Sequence, residues 1–171
     1  CNFPDALRYD ALSVIIDEAY HAYVAIDFLN QIAELNKVKL LPVPKEAAVI
    51  NAVSAVKSHL PEHLHKIFEL IAVCIGEHVL TKELISINKE ESASQSFQAV
   101  MADHVYDEGR HANMFSYVLK YLWENLSDED KNLIGPEFPN FLKEYLKQDI
   151  QKQYDKKMLM SLHISENEVE N

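Results

Sequence analysis

An all-α fold is what this sequence predicts, and three observations predict it. Among 171 residues there are three glycines and six prolines, too few breakers for an all-β chain with its many turns. Apolar residues recur at intervals of three and four over long stretches, the spacing of one helix face. Strict polar–apolar alternation does not persist over any useful length. With 48% hydrophobic residues the chain has material for a sizeable core, and one domain over residues 1–163 with a polar tail, 164–171, is expected.

The first helix is expected over about Asp5–Asn36, following Pro4. The segment VKLLPVPKE, marked by Pro42 and Pro44, reads as a connector. A second helix, rich in Ala and Val, follows from about Lys45 to Leu60. Pro61 starts a long third helix that reaches about Asn88, where the polar run NKEESAS breaks the pattern. A fourth runs from about Ser94 to Asn125. Ser127-Asp-Glu-Asp opens a short helical piece that Gly135-Pro136 should end, and a last helix covers about Asn140–Leu162. The architecture is thus a helical bundle of three long core helices with a long crossover connection that contains the second helix.

Composition narrows the function. The formal charge of −11 disfavours nucleic acid as a partner, because that binding relies on Lys and Arg neutralising phosphates. The two cysteines, Cys1 and Cys74, offer no disulfide framework; Cys74, within IAVCIG, reads as a small buried hydrophobe. No leader peptide is recognisable and the longest apolar runs fall short of a membrane span. No membrane partner and a cytoplasmic location are therefore expected.

The chemistry lies on the apolar stripes. On the fourth helix Phe97, Met101, His104, Glu108, His111, Phe115, Val118 and Leu122 share a face. Its ends are apolar, as a core stripe requires, but its middle is His, Glu, His. The first helix repeats the pattern with Ala11, Val14, Glu18, His21, Ala25, Phe28 and Ile32. On the third, Leu70, Val73, Cys74, Glu77, Leu80 and Leu84 set one carboxylate in an apolar line.

Burying an unpaired carboxylate costs several kcal/mol, and no basic side chain lies on these stripes. Bound cations are the simplest compensation. Glu18 and His21 stand at i, i+3, as do Glu108 and His111. Two Glu-x-x-His pairs on different helices, with further glutamates, are the ligand set of di-iron and di-manganese bundles. Hard oxygens and imidazoles suit iron or manganese; zinc is the second choice.

DEAYHA, from Asp17 to Ala22, and DEGRHA, from Asp107 to Ala112, agree at four of six positions. Asp17 and Asp107 are each placed to accept the outer N–H of a ligand histidine on the partner helix. Glu77 fits its stripe better than Glu69 or Glu83, either of which is an alternative. His104 is read as a ligand, with a structural histidine as the other reading. His59, His63, His65 and His78 lie on mixed faces and are not expected to bind metal. Tyr20, Tyr23 and Tyr106 read first as amphipathic packing.

The DEAYH and DEGRH segments resemble the ferritin-like di-iron oxygenases, and His104-x-x-x-Glu108-x-x-His111 more specifically resembles the p-aminobenzoate N-oxygenase family. Glu77, 27 residues before His104, suits that family's spacing. The resemblance implies a ferritin-like bundle and a non-haem oxidoreductase with two iron ions and O₂ as co-substrate. It implies oxidation of an arylamine through hydroxylamine to nitro, fed by an electron donor. Carried over, Glu18, His21, Glu77, His104, Glu108 and His111 look like the catalytic iron ligands, with Glu18 and Glu108 bridging.

The family pattern has one more glutamate, on a helix before DEAYH; only 17 residues precede Glu18 here, so a continuation upstream is expected to supply it. Without that helix, exposed apolar surface and a homodimer are also expected. Alternatives to arylamine oxidation are an iron or iron–manganese oxidase of C–H or fatty-acyl substrates, and a ferroxidase. A substrate cavity is expected beside the metals, lined by Phe97, Met101, Phe115 and Tyr106.

Overall fold

The computed structural model describes residues 3–88, 94–147 and 149–161, apart from the side chains of 79–83 and 86–88. The polar tail and Cys1 lie outside the described residues. Every regular element among those described is helical, consistent with a ferritin-like helical bundle. In chain order these are α1 (Asp5–Asn36), α2 (Ala48–Lys57), α3 (Glu62–Asn88), α4 (Gln95–Asn125), α5 (Asp128–Ile134), a 3-10 turn (Gly135–Glu137), α6 (Phe138–Tyr145) and α7 (Asp149–Ser161). No helix among the described residues is long and apolar enough to cross a membrane.

Local chemistry explains the boundaries. α1 ends on Lys37 in the left-handed conformation, φ 54°, which lets the Lys37 and Val38 N–H groups bond back to Glu34 and Ala33; this closes carbonyls the helix end leaves open. Ser94 caps α4 by accepting from the Phe97 N–H, and Ser127 caps α5 by accepting from the Asp130 N–H, as small hydroxyl residues do at helix starts.

Boundaries differ from expectation in three places. α2 is shorter at both ends than expected, Ala48–Lys57 rather than about Lys45–Leu60. Gly135-Pro136 does not stop the chain; Pro136 enters the first turn of the 3-10 segment, where its missing N–H has no partner to lose. The expected last helix is instead divided, since Leu146, at φ −80° and ψ 0°, leaves helical geometry after Tyr145.

The core lies along α3. Leu64, Phe68 and Ile71 are fully buried, with Ala52 and Val56 of α2, Ile134 of α5 and Phe141 of α6. Phe68 meets Phe141 edge to face, with ring centroids 5.6 Å apart, a favoured aromatic geometry. α4 packs along α3, α2 packs on α6 and α3, and α1 packs on α4. The α4 stripe behaves as expected: Phe115, Val118 and Leu122 join the core, and Glu108 and His111 are buried with them. On α3, Val73 departs from its assigned stripe. It is nearly half-exposed, whereas Cys74 of the same stripe is buried as expected and Ile71 and Ala72 take buried positions beside it.

Candidate metal centre

Above this core, three helices turn polar side chains toward one another. α1 supplies Glu18 and His21, α3 supplies Glu77, and α4 supplies His104, Glu108 and His111. They form two groups, His21–His104–Glu108 and Glu18–Glu77–Glu108–His111, each with its candidate ligand atoms within 4.8 Å of one another. Opposed ligands of an ion with bonds of about 2.1 Å stand about 4.2 Å apart, so each group has the dimensions of an ion site.

Glu108 belongs to both groups. Its Oε1 lies 3.0 Å from His104 Nε2 and 3.7 Å from His21 Nδ1, while its Oε2 lies 3.7 Å from His111 Nδ1. One carboxylate thus divides its oxygens between two positions. Glu18 is half-exposed; its Oε1 is 3.1 Å from His111 Nδ1 and 3.8 Å from His21 Nδ1. The rings of His21 and His104 face each other with centroids 3.9 Å apart.

The outer faces of two histidines are held across the helix pair. His21 Nε2 lies 3.2 Å from Asp107 Oδ2, and His111 Nε2 lies 3.1 Å from Asp17 Oδ2. The acidic residue preceding each glutamate therefore contacts the histidine of the other helix. A carboxylate only accepts, so each Nε2 donates. A neutral ring then turns the lone pair of Nδ1 inward, toward carboxylate oxygens that are also electron-rich. Both Nδ1 atoms are buried and have no hydrogen-bond partner. Lone pairs facing lone pairs in a dry interior repel, and a cation between them reverses the sign. The donors, imidazole nitrogen and carboxylate oxygen, fit hard or borderline divalent ions.

Charge says the same. Burial, then the nearby carboxylates of Glu108 and Glu18, push Glu77 up to about 7. Without metal, protonation is the other way such a group is neutralised. Farther out, Arg110 Nη2 lies 2.8 Å from Asp17 Oδ2 and 2.7 Å from Asp107 Oδ1. The Arg110 guanidinium foremost holds the Asp107 carboxyl below its usual range; burial opposes it, and the His21 contact adds a smaller lowering. In the sequence Arg110 stands where Tyr20 stands in the first copy of the near-repeat; its reach to both aspartates has no signal in the spacing.

A cavity of about 630 Å³ opens beside His21 and His104, lined by Val24, Phe28, Phe97, Val100, Met101, Tyr20 and Asp103 among others. Phe97 and Met101 are where the sequence put them. Phe115 belongs to the core and Tyr106 is largely exposed, so neither lines the cavity; Tyr106 lies off the α4 stripe that faces it. Glu69 is paired with Lys57, and Glu83 lies outside the described side chains. His59 meets Glu137, His63 meets Asp130, His65 meets the Leu60 carbonyl and His78 meets Ser116, all away from the cluster. Cys74 is buried, and desolvation pushes its thiol up to about 12, so it remains an unionised core side chain.

Comparison with known proteins identifies the family. No solved structure shows a significant match to the chain. It is 19% identical, over 145 residues, to a protein of Streptomyces thioluteus named 4-aminobenzoate N-oxygenase; the match takes in 84% of this chain and 43% of that protein. The chain therefore spans less than half the length of this relative. The profile described as P-aminobenzoate N-oxygenase AurF matches residues 5–168, nearly the whole sequence and all six side chains of the cluster. The chain belongs to the p-aminobenzoate N-oxygenase AurF family.

Proposed function

We propose that this chain carries the di-iron centre of an oxygenase that uses O₂ to convert an aromatic amine, through its hydroxylamine, to a nitro product. The observation that carries the reading is the pair of buried, unpartnered Nδ1 atoms facing carboxylates, with Glu108 divided between two positions. Glu18, Glu77, Glu108 and His111 would hold one ion, and His21, His104 and Glu108 the other. Ligand type favours iron or manganese over softer metals. When bound, two irons supply the redox chemistry that O₂ activation needs.

The protein's own residues do the rest. Asp17 and Asp107 fix the direction of His111 and His21. The apolar walls at Phe28, Phe97 and Met101 suit a planar aromatic ring and exclude water from its face. Asp103 and Tyr20 are the lining groups able to hydrogen-bond a polar substituent. A cytoplasmic setting suits ferrous loading and the free Cys74 thiol.

The test is anaerobic reconstitution with ferrous iron, metal analysis per chain, then exposure to reductant, O₂ and p-aminobenzoate. About two irons per chain and hydroxylamine or nitro product are expected. Two irons bound without oxidation of any arylamine in a panel would overturn the substrate assignment. Oxidation of an alkyl or fatty-acyl substrate instead would assign the cavity to C–H chemistry, and rapid ferrous oxidation with no organic product would assign iron handling. Glu108→Ala is expected to lose both ions, since both positions share it.

A further inference from the structure

Arg110 lies within reach of both halves of the cluster through two aspartates that are not themselves among the six candidate ligands. Its Nη2 atom carries two N–H bonds, and two aspartate oxygens lie within hydrogen-bond distance of it: Asp17 Oδ2 on α1 at 2.8 Å and Asp107 Oδ1 on α4 at 2.7 Å. Those aspartates in turn accept from His111 and His21. The connectivity is a continuous chain across the helix pair: His21 to Asp107, Asp107 to Arg110, Arg110 to Asp17, Asp17 to His111.

We infer that Arg110 is a positioning residue for both metal positions at once, a single cation that aims His21 and His111 inward through the two aspartates. The inference rests on the di-metal reading of the cluster. Two physical points support it. Asp17 and Asp107 are only about one-fifth exposed, with side-chain exposures of 20% and 17%, so the pair needs a shared counter-charge to remain close. Charge-assisted hydrogen bonds also fix direction better than neutral ones, and each aspartate orientation sets one ring orientation.

The near-repeat sharpens this. The first copy has Tyr20 at the position equivalent to Arg110, and Tyr20 lines the cavity instead. One guanidinium therefore serves two aspartates, and the arrangement has no duplicate to fall back on. Lysine has enough donors to meet both carboxylates, but as a compact ammonium on a shorter stem it lacks the planar reach. Arg110 is also half-exposed at 49%, so removing its side chain leaves a space open to solvent that a free guanidinium ion can enter.

The test is anaerobic titration of the full chain with cobaltous ion, followed by visible absorption, together with metal analysis after desalting. Wild type is expected to take up two ions. Arg110→Met should weaken both binding steps by about ten- to a hundredfold, the usual effect of losing an outer partner. Asp17→Asn should weaken the position that includes His111, and Asp107→Asn the position that includes His21. Arg110→Lys should lie between wild type and Arg110→Met, and covers the case in which Met does not fold. Millimolar guanidinium, against sodium chloride at equal ionic strength, should restore binding to Arg110→Ala. Two ions bound with wild-type dissociation constants in both Arg110→Met and Arg110→Lys would overturn the inference, as would loss of one position alone. A wild-type chain that binds no cobalt overturns the di-metal reading itself and the inference with it.

Discussion

At Glu77 the two roles of a buried carboxylate pull apart. It converges with Glu18 and Glu108 within one ion-sized group, so in the metal-free protein its charge is opposed by burial and by two like charges. Glu77→Gln removes that opposition and keeps the shape. It is expected to raise the melting temperature of the metal-free chain at neutral pH and to weaken metal uptake at the Glu18–His111 position. Calorimetry and cobalt titration on one preparation read both; a lowered melting temperature without metal would contradict the account. Single residues were legible in the sequence where a polar side chain broke an apolar stripe, as Glu18, His21, Glu108 and His111 do. Arg110 was not legible, because its meaning depends on which oxygens α1 brings to α4. Val73 was misplaced because positions one residue apart on a helix differ by about 100°, and α3 is apolar around much of its circumference.

Among the elements, α3 and α5 show how short-range chemistry fixes longer-range packing. The N-terminal turns of α3 and the preceding loop carry His63 and His59, and these meet Asp130 of α5 and Glu137 of the 3-10 turn. Asp130 is held below its ordinary 3.8, first by His63 and then by Ser127, and Glu137 below its ordinary 4.5, first by Asn140 and then by His59, with burial opposing. A carboxyl lowered on folding adds stability above its unfolded value and loses it as the pH falls through its folded value. Asp130→Asn should therefore be less stable than wild type at pH 6, and the gap should close as the pH falls below 3.8. Denaturant midpoints across that range check the sign. The long helices were legible because their apolar period and caps agree. The break after Tyr145 was not, since no Gly or Pro marks residues 146–148. Gly135-Pro136 misled because proline interrupts a helix interior but is accepted in a first turn.

Across the whole molecule, α1 is the weakly braced member. It packs on α4, and its buried side chains are Leu7, Val14 and His21. The opposite side carries Tyr9, Leu12, Ile16 and Tyr23, all exposed, at intervals of three, four and seven. Ions shared between α1 and the α3–α4 pair would fasten it, because a ligand that binds only the closed form stabilises that form by mass action. Hydrogen exchange along α1 is expected to slow about a hundredfold at metal concentrations a hundred times the dissociation constant, with little change in α2 and α6. Uniform slowing, or none, would show that the centre does not join these helices. The bundle was legible as a class because helix period survives without knowledge of neighbours; the two-sided character of α1 was hidden, because a stripe read as inward masks a second one behind it. That outward row has a practical corollary for anyone handling the polypeptide. Leu12 and Ile16 are exposed and belong neither to the packed interior nor to the cluster, so charged replacements there are expected to improve the behaviour of this chain in solution without altering its metal uptake.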